Sequence, residues 1–236
     1  MISIIIPTYN EEKYLPALLE SIENQEFKDL EIIVSDNKST DKTVIIAEKY
    51  GCKITSGGLP AKGRNQGAKI AKGEIFLFLD ADVVLPIEFI KKSILEFNRR
   101  NLDVASYKIV PKKGNKIAKG GLDILYNWPA FLSQGFLPYG AMGIIVKKKI
   151  FDKIGGFNEK IKIAEDHYFV RQVAEVGKFG IISSTKIFIS LRRFKTDGYA
   201  KTLSKYLLAS IYMLSGKPVK RGIKYDFGHY SNKKKN

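Results

Sequence analysis

Four carboxylates stand out in this chain by type and spacing. Asp80 and Asp82 flank Ala81 at the end of the apolar run Ile75–Leu79, and Glu165 and Asp166 lie side by side where a helical pattern opens. Alternate side chains of an extended segment share one side. Asp80 and Asp82 therefore project together and can hold a hard divalent cation that bridges a diphosphate. The plainer reading of the same residues is a turn whose aspartates cap the next helix. Glu165-Asp166 suits a general base. Acidic residues also favour helix N-termini on electrostatic grounds alone. Jointly, the two pairs describe an enzyme that handles a phosphorylated donor through a cation and activates a nucleophile from another element.

Three further polar clusters could serve such a donor. Pro7-Thr8-Tyr9-Asn10-Glu11 combines a rigid turn, an aromatic face and a carboxylate, which suit stacking on a base and gripping ribose hydroxyls. Asp36 and Asn37 can accept hydrogen bonds from a base or ribose, although turn chemistry explains them equally. Arg64, with Asn65 and Gly67, can pair with a nucleotide, Gly67 allowing close helix packing; a surface helix is the competing reading.

The elements that must position these residues follow from periodicity. Ser3–Ile6, Leu30–Val34, Cys52–Thr55 and Glu74–Leu79 read as strands. Helical patterns cover Glu12–Gln25, a segment from Asp41 (a fitting N-cap) toward Tyr50, and Arg64–Ala71. Alternating helices and wholly apolar strands predict an α/β fold with a mostly parallel sheet covered on both faces. Ligands then bind beyond the carboxyl ends of the strands, where Pro7–Glu11, Asp36–Lys38 and Asp80–Asp82 all fall. The second half is more mixed. It predicts strands at Val104–Val110, Gly143–Val146, Phe179–Ile182 and Ile187–Leu191, and helices at Lys147–Ile154, Ala164–Val176 and Asp197–Ser215, the last amphipathic. A basic loop, Pro111–Lys119, and an aromatic stretch, Tyr126–Tyr139, complete it. The aromatics suit a sugar face, a lipid surface or plain packing.

Composition narrows the chemistry. With one cysteine and two histidines in 236 residues, an intramolecular disulfide is excluded and a zinc site is disfavoured. Oxygen ligands point to Mg2+ or Mn2+. The net charge of +16 fits a solvated surface, an anionic membrane or nucleic acid. No signal segment opens the chain and no apolar run approaches the ~20 residues that span a bilayer. The expectation is a soluble or peripheral protein, cytoplasmic or at the inner face of the cell membrane.

Ile4–Glu12 (IIIPTYNEE), Val34–Thr43 (VSDNKSTDKT), Ala61–Lys69 (AKGRNQGAK), Gly73–Val83 (GEIFLFLDADV) and Ala164–His167 (AEDH) occur in one order. Over about residues 1–195 this set resembles the family 2 glycosyltransferases of inverting, metal-dependent type with the GT-A fold. The resemblance implies a nucleotide-diphosphate-sugar donor bound by residues 1–110, an acceptor and catalytic-base half at 111–195, and a basic helical extension at 196–236. It places Pro7, Thr8, Tyr9 and Glu11 along the nucleotide, and Asp36 or Asn37 with Arg64 at base or ribose. Asp80 and Ala81 fall by ribose or metal, Asp82 ligates the metal, and Asp166 is the catalytic base. Tyr139–Gly143 and Gly155-Gly156-Phe157 would line the acceptor side, although Phe157 suits a core equally. The acceptor would be a glycan hydroxyl or a lipid-linked phosphate.

Two departures matter. Asp36-Asn37-Lys38 stands where the family often has Asp-Asp or Asp-Gly, leaving the base contact open between Asp36 and Asn37. The Q-x-x-R-W motif of processive synthases is absent, Phe194 following Arg192-Arg193, so one sugar per encounter is expected. Two rivals remain. A sugar-nucleotide nucleotidyltransferase would need a Gly-rich basic loop where this chain has Pro-Thr-Tyr-Asn. A non-catalytic basic module would bind membrane or nucleic acid, of which nucleic acid is not an expected partner.

Overall fold

A computed structural model describes residues 1–112, 120–140, 142–161, 164–190 and 192. Its centre is an eight-stranded sheet in the order β3-β2-β1-β4-β7-β6-β8-β5. The strands are β1 (Ile2–Thr8), β2 (Leu30–Asp36), β3 (Lys53–Ser56), β4 (Ile75–Leu79), β5 (Val83–Val84), β6 (Val104–Pro111), β7 (Gly143–Lys147) and β8 (Phe179–Ile189). The first four are parallel, as expected. Beyond them the sheet is mixed: β7 runs antiparallel to both β4 and β6, β8 parallel to β6, and β5 antiparallel to β8. The sheet is thus mostly parallel, as expected, with β7 and β5 the two strands that run against the rest.

Each central strand is buried on both faces because helices cover both. Leu77 and Leu79 of β4 face a core with Leu15, Leu18, Leu19 and Ile22 of α1 (Leu15–Glu23) and Phe89, Ile90 and Phe97 of α4 (Phe89–Arg99). Phe76 and Phe78 face the other core, with Ala61 and Ala68 of α3 (Pro60–Ile70), Phe151 of α6 (Lys148–Ile154) and Phe169 of α7 (Glu165–Val176). Burying each of these phenylalanines contributes about 1.5–3 kcal/mol. Phe157 belongs to this core: it is 2% exposed and stacks on Phe169 at 4.0 Å. Of its two readings, packing is the one observed.

Several boundaries differ from expectation for identifiable reasons. Helix α1 begins at Leu15 rather than Glu12, next to Pro16, which needs no hydrogen bond from its nitrogen there. Helix α2 spans Thr43–Lys49; Asp41 stands just before it and its carboxylate accepts the Thr43 N–H at 3.0 Å. The two strands expected around Ser183–Lys186 are one strand, β8, with a register shift opposite Tyr107/Lys108. Glu96 of α4 accepts the Ser183 and Ser184 N–H groups at that irregularity. The aromatic stretch is helical, a π-helical turn (Asp123–Asn127) running into α5 (Trp128–Ser133). Asn127 pins it by accepting from the Ile109 N–H and donating to the Ile109 carbonyl. The basic loop residues 113–119, the helix expected at Asp197–Ser215 and the tail lie outside the described residues.

Candidate functional site

The turns after β1 and β2 are stitched into one unit. Asn10 and Lys38 both adopt positive φ, which swings the two loops toward each other. Asn10 N–H donates to Ser39 Oγ at 2.8 Å, and Thr40 N–H donates back to Asn10 Oδ1 at 2.8 Å. Asp36 sits beneath this seam, nearly buried. Its oxygens accept from Thr8 Oγ1 at 3.0 Å, Ser39 Oγ at 2.6 Å and Ser39 N–H at 2.8 Å. Thr8 is fully buried with its hydroxyl engaged by Asp36, so its side chain supports the rim rather than facing it. Tyr9 and Asn37 are half-buried, and Pro7 is buried against α3. A Cβ on Gly63 would stand 3.0 Å from Pro7 Cβ, and one on Gly67 only 2.4 Å from Ile5 Cγ2. The close packing expected of Gly67 is therefore present.

At the end of β4, Ala81 turns its methyl group into the core, leaving Asp80 and Asp82 on the rim. Each aspartate meets an arginine. Arg64 Nη2 donates to Asp80 Oδ1 at 2.9 Å, and Arg64 Nη1 donates to Glu165 Oε1 at 2.6 Å. Arg64 is 4% exposed, its guanidinium 5.3 Å from the Phe157 ring centroid. The sequence allowed Arg64 a nucleotide contact or a surface position. It is buried, which sets aside the surface reading, and it joins the β4 rim to the start of α7. Burial works against its charge, but Glu165, Asp80 and Asp166 outweigh that and raise its pKa. Burial raises the pKa of Glu165, with Arg64 opposing and Asp166 adding to the rise.

Asp82 meets the second arginine, which the sequence did not single out as a site residue. Arg192 forms a bidentate pair with Glu11, Nη1 at 2.7 Å from Oε2 and Nη2 at 2.9 Å from Oε1. Its Nε lies 2.7 Å from Asp82 Oδ2, and its guanidinium is 4.9 Å from the Tyr14 ring centroid. Burial pushes the Glu11 pKa up to about 6; Arg192 opposes the rise, while Asp82 and Asp80 add to it. The available signal was a basic pair just past a strand whose end returns to the rim.

Helix α7 starts from Ala164 in the left-handed region, with Glu165 and Asp166 in its first turn. Glu165 is buried and held by Arg64; Asp166 is half-buried, one oxygen accepting the His167 N–H at 2.8 Å. His167 is a fastener here. Its Nδ1 accepts the Gly140 N–H at 3.1 Å, and Tyr126 Oη donates to the Gly140 carbonyl at 2.7 Å. Burial lowers the His167 pKa, which suits an accepting, neutral ring. A Cβ on Gly140 would come within 2.6 Å of the Asp166 carbonyl, so glycine lets this loop lie directly on the base of α7.

Among the described residues no group of three or more His, Cys, Asp or Glu side chains forms a metal cage. The carboxylates of Asp80 and Asp82 offer the hard oxygen donors that Mg2+ or Mn2+ would take. Both already hold cationic partners, so the site is electrostatically suited to positive charge.

The carboxyl-end rim of this α/β sheet thus gathers the turns after β1 and β2 and the paired aspartates after β4. Residues 3–164 match the family described as glycosyl transferase family 2, and the chain belongs to that family. It is 29% identical over 203 residues to the poly(ribitol-phosphate) beta-N-acetylglucosaminyltransferase TarS of Staphylococcus aureus, covering 81% of this chain and 35% of TarS. It is 30% identical over 229 residues to the glycosyltransferase MJ1057 of Methanocaldococcus jannaschii, covering 91% and 78%. The crystal structure of TarS 1–349 with UDP-GlcNAc aligns at TM-score 0.66 and 28% identity, over 80% of this chain and 58% of that one. The chain thus spans about a third of the full length of TarS. The structural neighbours are GT-A glycosyltransferases, the fold expected from the sequence.

Proposed function

We propose that this chain transfers a sugar from a nucleotide-diphosphate-sugar donor, with inversion and with the help of Mg2+ or Mn2+, one sugar per encounter. The observation that carries the reading is the ion-paired path Asp80–Arg64–Glu165, which ties the aspartate motif to the helix turn bearing Asp166. Asp82, with Asp80, would hold the cation, which when bound supplies positive charge beside the departing diphosphate. Asp36 or Asn37 and the Pro7–Glu11 turn would hold the nucleoside. Asp166 takes the acceptor proton. It is the member of its pair with solvent access, whereas Glu165 is 8% exposed and locked to Arg64. Fixing both ends of the site on one buried arginine holds the base at a set distance from the donor, which favours reaction through orientation.

The family membership and the UDP-GlcNAc bound to TarS support a nucleotide-sugar donor. A glycan hydroxyl or lipid-linked phosphate is the proposed acceptor. Among the described residues no helix is long and apolar enough to cross a membrane. The charge of +16 and the exposed Trp128, Phe131, Leu132 and Phe136 support peripheral contact with an anionic membrane.

The test is nucleoside diphosphate release from a panel of nucleotide sugars with Mn2+ or Mg2+. Turnover is expected to depend on the metal and to collapse in Asp82→Ala and Asp166→Asn. Turnover unchanged in both variants would overturn the mechanism.

A further inference from the structure

We propose that Arg192 is a counter-cation built into the donor site, and that a divalent cation reaches Asp82 by exchange with its guanidinium. The inference rests on the reading of Asp82 as a metal ligand and adds a residue to it. Glu11 and Asp82 come from different turns, are 4% and 8% exposed, and are joined by this one side chain. Two carboxylates withdrawn from water next to one another repel unless a positive charge lies between them. The Arg192 fork supplies it, engaging both oxygens of Glu11 and the Oδ2 of Asp82.

The charge balance leaves room for a cation. Glu11, Asp80, Asp82 and Glu165 pair with two guanidiniums, and Asp166 adds a further carboxylate beside Arg64, a formal excess of negative charge that favours a cation. A metal ion on Asp82 Oδ2 would be opposed by the Arg192 Nε already 2.7 Å from that oxygen, because like charges so close repel. Binding is therefore competitive at that oxygen. Arg64 is not the competing group. It is closed in by Phe157 and by carboxylates on two elements, with its side chain 5% exposed against 14% for Arg192.

The experiment is a Mn2+ titration of the full chain without nucleotide, with free Mn2+ read by its electron paramagnetic resonance signal. Wild type, Arg192→Ala, Arg192→Lys and Asp82→Ala are compared, with thermal unfolding of each in chelator and in Mn2+. Arg192→Ala is expected to bind Mn2+ about fivefold or more tightly than wild type, the lower end of couplings between competing ligands. Arg192→Lys, which keeps the charge but loses the fork, should fall between them. Mn2+ should also raise the melting temperature of Arg192→Ala more than that of wild type. Should Arg192→Ala fail to fold in chelator, its recovery in Mn2+ supports the proposal, and failure in both leaves Arg192→Lys to decide. Asp82-dependent binding of equal or lower affinity in the Arg192 variants would overturn the exchange while leaving the metal reading intact. Absence of Asp82-dependent binding in every protein would overturn both.

Discussion

Arg64 and Arg192 each bridge two carboxylates, yet their surroundings differ. Arg64 lies inside the molecule, over an aromatic ring, between β4 and α7. Arg192 lies at the rim just past β8, over Tyr14 and between two turns. Similar ion-pair chemistry therefore does two jobs. One arginine ties the end of β4 to the start of α7, and the other bridges the carboxylates of two rim turns.

The contrast can be broken most directly at Arg64. Arg64→Ala leaves Glu165 buried without its partner, and equilibrium denaturation should show a loss of about 3–5 kcal/mol. Loss no greater than that of Arg192→Ala would remove the distinction between strut and counter-charge. Arg192→Ala should cost about 1.5–3 kcal/mol in chelator, the range of hydrogen bonds to charged groups. Added Mn2+ should restore much of this in Arg192→Ala and nothing in Arg64→Ala.

Glu11 sharpens the comparison through pH. Its folded pKa of about 6 lies above the ordinary 4.5, so the folded state holds its proton more tightly. The stability this contributes is fully present below pH 4.5 and is lost as pH rises through about 6. Over that window, the stability of wild type relative to Glu11→Gln should fall by about 2 kcal/mol. A flat difference would show that Arg192 compensates Glu11 completely. The smallest effect is expected at Phe157→Leu, which removes the ring beneath Arg64 and its stacking on Phe169. About 1 kcal/mol should be lost in denaturation, with Mn2+ affinity unchanged.

What the sequence made legible is local. The apolar run of β4 and the aspartates after it announce a buried strand and its rim, because strand period and burial are set by adjacent residues. Gly67 could be read as a close-packing position for the same reason. Arg64 was legible as a site-region residue, but its job was not. Glu165 lies 101 positions away, and only the folded sheet brings the two together. Arg192 escaped for a stronger version of that reason, its partner Glu11 being 181 positions distant. The two-residue strand β5 has no pattern of its own; pairing with β8 creates it. The interruption Ser183–Lys186 looked like a break because the Glu96 carboxylate that holds it belongs to another element.

That two-residue pairing has a practical side. Val83 meets Ile189 and Val84 meets Phe188, so the backbone one step past Asp82 is fastened three residues ahead of Arg192. The distance between aspartate and arginine is set by a ladder rather than by the length of chain between them. Weakening the Val83–Ile189 pairing should therefore loosen the Arg192–Asp82 contact without touching either charge.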